Sequence, residues 1–378
     1  MDSKQIATLE DAPDLSRPKR ILHIGKYFPP HRGGMETYLR DLMNIQRRAG
    51  TEVCALVHSS SRRLTDQVDT VDALDGSTYE VVRSARWFTL GFVPISPMFM
   101  WSAWRTIKRF RPDVIHLHLP NASPIWMLLL PTARKIPWIA SWHSDVLPPI
   151  ASRTMRLLYK VYRPLERLEL TQCRTVYASS PPYAEHSPAL ADFLDKVQVK
   201  PLELDPLRLP NPQTVEPLPK SRPVILTVGR MAIYKGIPDL IRACSTIPEA
   251  DLWLVGSGEM DQEARRLVDQ LGMNERVTFW GEVEDGLLWR IYKTCDVFCL
   301  ASTEKTEAFG MVLLEAAHFG KPLVVRDIEG SGVAWVAREL LAGAGIEQVP
   351  RAIKGVVRRL LQELGQTVNT QNTRLPRP

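Results

Sequence analysis

From residue 20 onward, short apolar runs rich in β-branched residues alternate with amphipathic stretches at helical spacing. Helical patterns include one that begins at Met35, with Leu39, Leu42, Met43 and Ile45 on one face, and two more at Met260–Leu271 and Gly310–Phe319. The alternation predicts an α/β fold of doubly wound, mainly parallel sheets. The runs predicted as strands are Ile21–Ile24, Val53–Val57, Val114–Leu117, Trp138–Ser141, Thr175–Ser179, Val224–Val228, Leu252–Val255, Val277–Trp280, Val297–Leu300 and Leu323–Val325.

A proline-rich stretch divides the pattern into two halves. Residues 200–223 hold seven prolines in 24 residues and show no sustained periodicity. Proline lacks the backbone donor that helices and sheets need, so this stretch is predicted to be a linker. The predicted organisation is a flexible tail (1–19), an N-terminal Rossmann-like domain (20–199), the linker (200–223), a C-terminal Rossmann-like domain (224–364) and a polar tail (365–378).

Composition narrows the class of protein. The 378 residues are 44% hydrophobic and 24% charged, which excludes extended disorder and a disulfide-dense scaffold. Five scattered cysteines favour a reducing, cytoplasmic compartment. There is no signal-like N-terminus, and no apolar run approaches the roughly 20 residues that cross a bilayer.

The net charge of +6 is unevenly distributed. Residues 1–180 carry 25 basic and 16 acidic side chains, a net charge of +9, whereas residues 181–378 carry 23 and 26, a net charge of −3. The first half is therefore expected to face an anionic partner.

Two loops that follow predicted strands carry glycines suited to phosphate binding. The first, residues 25–34, ends in Gly33 and Gly34, where a helix begins and backbone N–H groups point outward. The second holds Gly229, Arg230, Lys235 and Gly236, and its two cations suit a diphosphate. An ordinary turn and a pair of solvated surface cations remain the alternative interpretations. Neither loop has the Gly-x-Gly-x-x-Gly or Lys-Ser/Thr pattern of other nucleotide sites.

A third motif pairs two glutamates across the start of a helix. Glu307 falls in the loop after the predicted strand Val297–Leu300, and Glu315 falls two helical turns later among apolar residues. The intervening Ala308, Phe309 and Gly310 open the helix. Both carboxylates can then face one ligand, although a solvent-exposed Glu315 is the alternative.

A fourth motif places His143 and Asp145 directly after the strand Trp138–Ser141. A histidine at this end of a strand can donate a hydrogen bond or move a proton near neutral pH. His116 and His118 alternate with apolar residues and are other candidates, and a histidine satisfied within the core remains an alternative for each. No zinc-type histidine motif is present, so no metal site is predicted.

Taken in order, these motifs resemble the retaining GT-B glycosyltransferases of family 4, over about residues 20–336. The most specific match is Glu-x7-Glu with an internal Phe-Gly. The resemblance implies two Rossmann-like domains that face a cleft, and a GDP- or UDP-linked sugar as co-substrate with no cofactor.

The resemblance also implies roles for the matching residues. Glu307 would bind the hydroxyls of the donor sugar, Glu315 the ribose, and His143 the sugar near the reacting carbon. Arg230 and Lys235 would hold the diphosphate, together with backbone donors at Gly33–Gly34 and around Ala308, Phe309 and Gly310.

Residues 92–97 and 116–121 are similar to a bacterial subgroup, often mannosyltransferases, that builds exopolysaccharide or O-antigen. The acceptor would then be a saccharide on a polyprenyl diphosphate at the inner face of the cytoplasmic membrane. A basic stripe at helical spacing suits an anionic lipid surface, although a solvated helix face remains possible and Pro164 is expected to kink or split the helix. The stripe consists of Arg153, Arg156, Lys160, Arg163 and Arg167.

The chain departs from the resemblance after Val336, where a short helical run (351–364) and a polar tail replace the expected ending. One alternative is therefore a nucleotide-sugar-binding protein with impaired catalysis. A nucleic-acid binder is disfavoured because the cations lack interleaved aromatic residues, and an oxidoreductase because the dinucleotide turn is missing.

Overall fold

A computed structural model describes residues 18–90, 93–146 and 153–340, together with residues 358, 359 and 362. The predicted tails and the predicted helical run 351–364 lie almost entirely outside these residues. The strands are β1 (Arg20–Ile24), β2 (Glu52–His58), β3 (Gln67–Asp72), β4 (Thr78–Ser84), β5 (Phe88–Leu90), β6 (Val93–Ile95), β7 (Val114–Leu119), β8 (Trp138–Trp142), β9 (Cys173–Ala178), β10 (Val197–Val199), β11 (Val224–Val228), β12 (Asp251–Val255), β13 (Val277–Gly281), β14 (Val297–Leu300) and β15 (Leu323–Val325).

The helices lie between the strands. They are α1 (Gly34–Arg48), α2 (Met98–Phe110), α3 (Ile125–Leu128), α4 (Pro131–Arg134), α5 (Arg153–Gln172), α6 (Pro181–His186), α7 (Ile237–Ser245), α8 (Asp261–Gln270), α9 (Asp285–Thr294), α10 (Met311–His318) and α11 (Val333–Trp335). Short 3-10 turns lie at Leu194–Lys196, Pro206–Arg208 and Ile233–Lys235, and a π-helical turn follows at Val336–Leu340.

The first sheet has eight strands in the order β10-β9-β8-β7-β1-β2-β4-β3. Strand β1 is paired in parallel with β2 and β7, and β2 is paired in parallel with β4. At the edge, β3 pairs with β4 in the antiparallel sense. The sequence analysis missed β3, β4, the three-residue β10 and the small β5-β6 hairpin. Strand β3 is only half-buried and carries acidic residues, so it has no continuous apolar run.

The second sheet has five strands in the order β13-β12-β11-β14-β15, all of them parallel. Successive residues of its central strand enter different cores. Ile225 packs in one hydrophobic cluster with α7 and α8, whereas Val224 and Leu226 pack in another with α9 and α10. Helices therefore cover both faces, which confirms the predicted doubly wound α/β fold.

By compactness the chain divides into a first unit, residues 1–141 with 149–176, and a second unit, residues 142–148 with 177–378. In the first unit, Leu39 and Met43 of α1 pack against β2 and β4. All five cysteines are buried. Within the described ranges, no helix is both long enough and apolar enough to cross a membrane.

Helix α5 continues through Pro164 as one element, so of the two outcomes predicted for this proline, a kink or a split, the split is wrong. Three side chains beyond the proline, Glu166, Glu169 and Leu170, are almost completely buried. Their packing holds the last turns in place although Pro164 donates no backbone hydrogen bond.

Candidate active site

The loops after β11 and β14 meet because these two strands are neighbours in the second sheet. The strand order reverses at this pair, and the carboxyl edge of such a point is where open α/β sheets bind ligands. The approach of the two loops requires glycine at Gly236. This residue has a φ of 64°, and a Cβ there would lie 2.1 Å from the carbonyl oxygen of Ala301.

Lys235 and Glu307 form an ion pair at this edge. The Lys235 Nζ lies 2.5 Å from Glu307 Oε2, and each side chain is 12% exposed. Burial acts to lower the pKa of Lys235, but the Glu307 carboxylate and Tyr234 together outweigh it, so this pKa lies above its usual value. The two predicted site residues, from motifs more than seventy positions apart, are thus in direct contact as a charged pair.

The Glu307 loop is also held from behind by the segment before α11. The Ser331 hydroxyl donates a hydrogen bond of 2.7 Å to the Glu307 carbonyl oxygen. Ala308 and Phe309 are buried, and Gly310 lies at the N-cap position of α10. This support fixes the loop, whereas the Arg230 side chain on the neighbouring loop is exposed.

Glu315 lies inside α10 and is buried, not on a solvent-exposed face. Its Oε1 accepts a hydrogen bond of 2.9 Å from Arg208, and its Oε2 accepts one of 2.9 Å from the Tyr292 hydroxyl. The sequence analysis missed both partners. Arg208 stands in the stretch predicted to be a linker, and Tyr292 belongs to none of the predicted motifs.

His143 follows β8 and is partly buried. Burial lowers its pKa from 6.5 to about 4, so the imidazole is neutral at physiological pH. The adjacent Asp145 forms hydrogen bonds with residues in and directly after α6. Its Oδ1 accepts 2.6 Å from the Ser187 hydroxyl, and its backbone N–H donates to the Tyr183 hydroxyl. Asp145 therefore fixes the chain on which His143 is mounted.

In the first unit, Gly33 and Gly34 lie at the N-terminus of α1, as their sequence predicts. Glu36 turns back toward this end, since a Cβ on Gly33 would lie 2.2 Å from Glu36 Oε2. A carboxylate at a helix N-terminus is favourable for the helix dipole. It also adds negative charge beside the loop predicted to bind phosphate.

The histidines of β1 and β7 form a buried cluster in the first unit. Potential ligand atoms of His23, His116 and His118 lie within 4.8 Å of one another. They are joined by hydrogen bonds, because His23 Nδ1 lies 3.1 Å from His118 Nε2 and His23 Nε2 lies 2.8 Å from Gln46 Oε1. His116 Nε2 lies 2.9 Å from the Ser141 hydroxyl. These bonds account for the cluster as a polar network within the core.

The predicted basic stripe lies on α5. Lys160 and Arg167 are exposed. Arg163 donates a hydrogen bond of 2.6 Å to the buried Glu166. At least one cation of the stripe therefore compensates a buried carboxylate. The side chains of Arg153 and Arg156 lie outside the described residues.

Two family profiles match the chain. "Glycosyl transferase 4-like domain" matches residues 33–202, and "Glycosyl transferases group 1" matches residues 212–369. The second match contains the whole of the Lys235–Glu307 and Arg230 region, and it begins shortly after Arg208.

Similar proteins are named as glycosyltransferases. The chain is 27% identical to the O-antigen chain mannosyltransferase C of Escherichia coli, over 86% of this chain and 84% of that protein. It is 26% identical to a phosphatidyl-myo-inositol mannosyltransferase of Mycolicibacterium smegmatis, over 79% of this chain and 73% of that protein.

Solved structures support the fold. A sucrose-phosphate synthase from Thermosynechococcus elongatus aligns with a TM-score of 0.66 at 20% identity, over 92% of this chain and 94% of that chain. HepE of Anabaena, solved in complex with UDP-glucose, aligns with a TM-score of 0.60 at 18% identity, over 91% of this chain and 95% of that chain.

Proposed function

We propose that this glycosyltransferase of the GT-B fold transfers a hexose, with mannose favoured, from a GDP- or UDP-linked sugar to a saccharide carried on a polyprenyl diphosphate. The observation that carries the proposal is the Lys235–Glu307 pair at the carboxyl edge between β11 and β14. The relatives named as mannosyltransferases support mannose as the sugar, and the O-antigen enzyme supports a role in O-antigen or exopolysaccharide biosynthesis.

The donor is expected to bind across the two loops. Lys235 and Arg230 offer positive charge to its diphosphate. Before the donor binds, the charges of Lys235 and Glu307 cancel; once it binds, the Lys235 ammonium contacts both the carboxylate and the phosphate. Glu307 then accepts hydrogen bonds from the sugar hydroxyls, and Glu315 from the ribose. Backbone N–H groups of the Phe309–Gly310 region complete the donor contacts proposed for the second unit, and a contact of the donor with Gly33–Gly34 stays a prediction from the family resemblance.

Transfer with retention breaks the bond between the anomeric carbon and the phosphate oxygen, and it forms a bond from that carbon to the acceptor oxygen on the same face. The acceptor proton passes to the departing phosphate oxygen. Fixed cations stabilise the negative charge that develops on the leaving group, so we propose a reaction without a metal ion. Glu307, paired with Lys235, serves as a hydrogen-bond acceptor and not as a covalent nucleophile.

His143 is proposed to contact the donor sugar near its reacting carbon. A neutral imidazole suits this role, because it can donate one hydrogen bond without adding positive charge beside a carbon that becomes electron-poor. The lowered pKa keeps it neutral across the physiological range.

A lipid-linked acceptor requires contact with a membrane, and we propose an anionic cytoplasmic surface as the partner. On α5, Lys160 and Arg167 offer exposed cations, each worth about 1 kcal/mol near such a surface. On α2, Met100 and Trp101 are 36% and 49% exposed. The Trp104 ring stacks 4.7 Å from Trp101 and lies under the Lys108 ammonium. Tryptophan beside lysine is typical of membrane interfaces.

The test of function is a transfer assay. The protein is incubated with GDP-mannose, GDP-glucose, UDP-glucose or UDP-galactose and with a short polyprenyl-diphosphate monosaccharide, and products are analysed by mass spectrometry and NMR. One hexose added with the anomeric configuration of the donor is the expected result. Inversion would overturn retention, a preference for a UDP sugar would overturn mannose, and donor binding without transfer to this acceptor would overturn the proposed acceptor.

The membrane partner is tested by sedimentation with vesicles. Phosphatidylglycerol–phosphatidylcholine vesicles should bind the protein, and Lys160→Glu with Arg167→Glu should weaken only the salt-sensitive part of this binding. Trp101→Ser should weaken the salt-resistant part. Leu271→Ser, which removes an apolar side chain of 40% exposure in the second unit, is the control. Absence of sedimentation at low salt would overturn the membrane proposal.

A further inference from the structure

The predicted linker supplies a cation to the Glu-x7-Glu motif, which lies on another element of the second unit. Arg208 Nη2 lies 2.9 Å from Glu315 Oε1, and the two side chains are only 6% and 9% exposed. The residues are 107 positions apart in the chain. Burying two charges costs free energy, because both lose their contacts with water. A role beyond surface charge balance is therefore to be sought for this pair.

The segment around Arg208 is clamped onto one face of α10. Asp205 is fully buried and accepts a hydrogen bond of 3.0 Å from the Leu207 N–H, which closes the 3-10 turn. Two residues farther along, the Pro210 carbonyl oxygen accepts 2.7 Å from His318 Nε2. Glu315 and His318 are three positions apart and share a helix face. The Asp205–Leu207 bond sets the backbone of the turn, and the His318–Pro210 bond joins the segment to α10. Together they fix the position of the Arg208 guanidinium.

The guanidinium is further oriented by an aromatic ring. Its central carbon lies 5.3 Å from the ring centre of Trp289. Tyr292, one turn later on α9, donates to the other oxygen of Glu315. The carboxylate is thus held on both oxygens, yet each oxygen can accept a second hydrogen bond.

Burial opposes the charge on Glu315. It raises the pKa of this carboxyl above its usual value, and the bonds from Arg208 and Tyr292 limit the rise. Without the guanidinium, a carboxyl in this position would take up a proton more readily. A protonated carboxyl presents a hydroxyl donor and loses acceptor capacity.

We propose that Arg208 is a positioning residue of the donor site, which keeps the Glu315 carboxylate ionised and oriented so that it can accept hydrogen bonds from the ribose hydroxyls of the nucleotide. This inference rests on the proposed nucleotide-sugar function. It assigns to the proline-rich segment a part in donor recognition.

The test measures the affinity of GDP and of UDP by titration calorimetry between pH 5.5 and 8.5. Wild type is compared with Arg208→Met and Arg208→Lys at each pH, because the ratio of dissociation constants removes the titration of the nucleotide's own phosphate. For Arg208→Met the ratio should rise by about tenfold for each pH unit of acidification below the new pKa of Glu315. Arg208→Lys should restore most of the affinity and flatten the ratio.

A ligand-independent measurement accompanies the titration. If Arg208→Met raises the pKa of Glu315 in the folded state, the folded variant binds a proton that its unfolded chain releases, so its stability recovers as the pH falls. The difference in thermal midpoint between wild type and variant should therefore narrow on acidification. Arg222→Met is the matched control for the nucleotide titration, since it removes the guanidinium that lies 3.7 Å from Asp251 elsewhere in the second unit.

The outcomes separate two failures. If wild type binds GDP or UDP and Arg208→Met lowers affinity equally at every pH, or not at all, the positioning role is wrong while the nucleotide site stands. If wild type binds neither nucleotide, the proposed function fails and the role of Arg208 fails with it. Should Arg208→Met not fold, Arg208→Gln takes its place in both measurements, and a pH-independent ratio of dissociation constants for that variant would contradict the inference.

Discussion

Each glutamate of the Glu-x7-Glu motif is paired with a cation that comes from an earlier loop. Glu307 contacts Lys235, and Glu315 contacts Arg208. Carboxylates that are mostly withdrawn from water need such partners, because an isolated buried charge is strongly destabilising. Each of the two carboxylates therefore has a compensating cation before any ligand binds. A mutation in either pair is therefore expected to change stability as well as activity.

Lys235→Met tests this coupling. The variant leaves the Glu307 carboxylate without its cation, and we expect the free energy of unfolding to fall by about 3 kcal/mol and transfer to be lost. Lys235→Met combined with Glu307→Gln should recover part of the stability, since the unpaired charge is gone, and none of the activity. Denaturant unfolding and the transfer assay measure the two effects. A double variant no more stable than Lys235→Met would show that the pair is not what holds the loops.

Arg230 gives the opposite expectation, because its side chain is exposed. Arg230→Ala should weaken donor binding by about 2 kcal/mol, roughly thirtyfold in dissociation constant, through the loss of a charged hydrogen bond to phosphate. Its free energy of unfolding should change by no more than about 0.5 kcal/mol. Arg266→Ala, another exposed cation of the second unit, is the control for both measurements. Unchanged donor affinity in Arg230→Ala would remove this residue from the site.

At the scale of elements, the donor loops depend on the segment that precedes α11. A Cβ on Gly332 would lie 2.1 Å from the carbonyl oxygen of Ala308 and 2.2 Å from the Ser180 hydroxyl. The backbone around Gly332 therefore packs directly against the Glu307–Gly310 loop. No other residue type leaves room for this contact without a shift of one segment.

Gly332→Ala is expected to displace the Glu307 loop. We predict a loss of about 2 kcal/mol in the free energy of unfolding and a clear loss of donor affinity. Gly286→Ala is the matched control, because a Cβ at that position in α9 meets no atom within 4 Å. This control should gain about 0.5 kcal/mol through helix propensity. Normal donor affinity in a destabilised Gly332→Ala would contradict the proposed coupling of this segment to the loop.

The strands that the sequence marks most clearly share one property. Strands such as β11 and β14 are buried along their whole length, so they appear as unbroken apolar runs between turns. Strand β3 alternates half-buried and exposed positions and carries Asp69 and Asp72, so its pairing with β4 leaves little mark in the sequence. In α5, the buried residues after Pro164 outweigh the local signal for a break.

The contacts of the site can likewise be divided into those that the sequence pattern predicts and those that it does not. Lys235 and Glu307 could be expected near each other because both follow strands whose carboxyl ends meet in a parallel sheet. The contact between Arg208 and Glu315 could not be predicted, because the proline content of the segment around Arg208 favours a solvent-exposed linker. The packing of Leu209 and the His318–Pro210 bond help to bring that segment to α10, and neither is marked in the sequence.

At the scale of the whole molecule, histidines whose pKa is lowered by burial lie in both units. His23 and His58 lie in the first unit and His143 in the second. Burial lowers the pKa of each from 6.5 to about 4. The folded protein therefore carries these three imidazoles neutral at pH values where the unfolded chain protonates them. Their combined effect is a loss of stability on mild acidification.

The buried Glu169 acts in the opposite direction, because burial and the neighbouring Glu166 raise its pKa well above the usual value. A carboxyl of this kind binds its proton in the folded state first, and it stabilises the first unit as the pH falls. A pH profile of wild type alone would mix these contributions. Comparison with a variant that lacks one imidazole isolates the contribution of that histidine to the pH dependence of the free energy of unfolding.

We therefore predict the result for His23→Gln. Between pH 6.5 and 4 the unfolded wild-type chain binds one more proton at His23 than the folded protein does. The free energy of unfolding of wild type should thus fall relative to the variant by up to about 1.4 kcal/mol for each pH unit of acidification. Above pH 7 the difference should be constant, and Arg266→Ala should show no pH-dependent difference. A gap between wild type and His23→Gln that stays constant down to pH 4.5 would mean that the buried His23–His118 network already holds a proton in the folded protein.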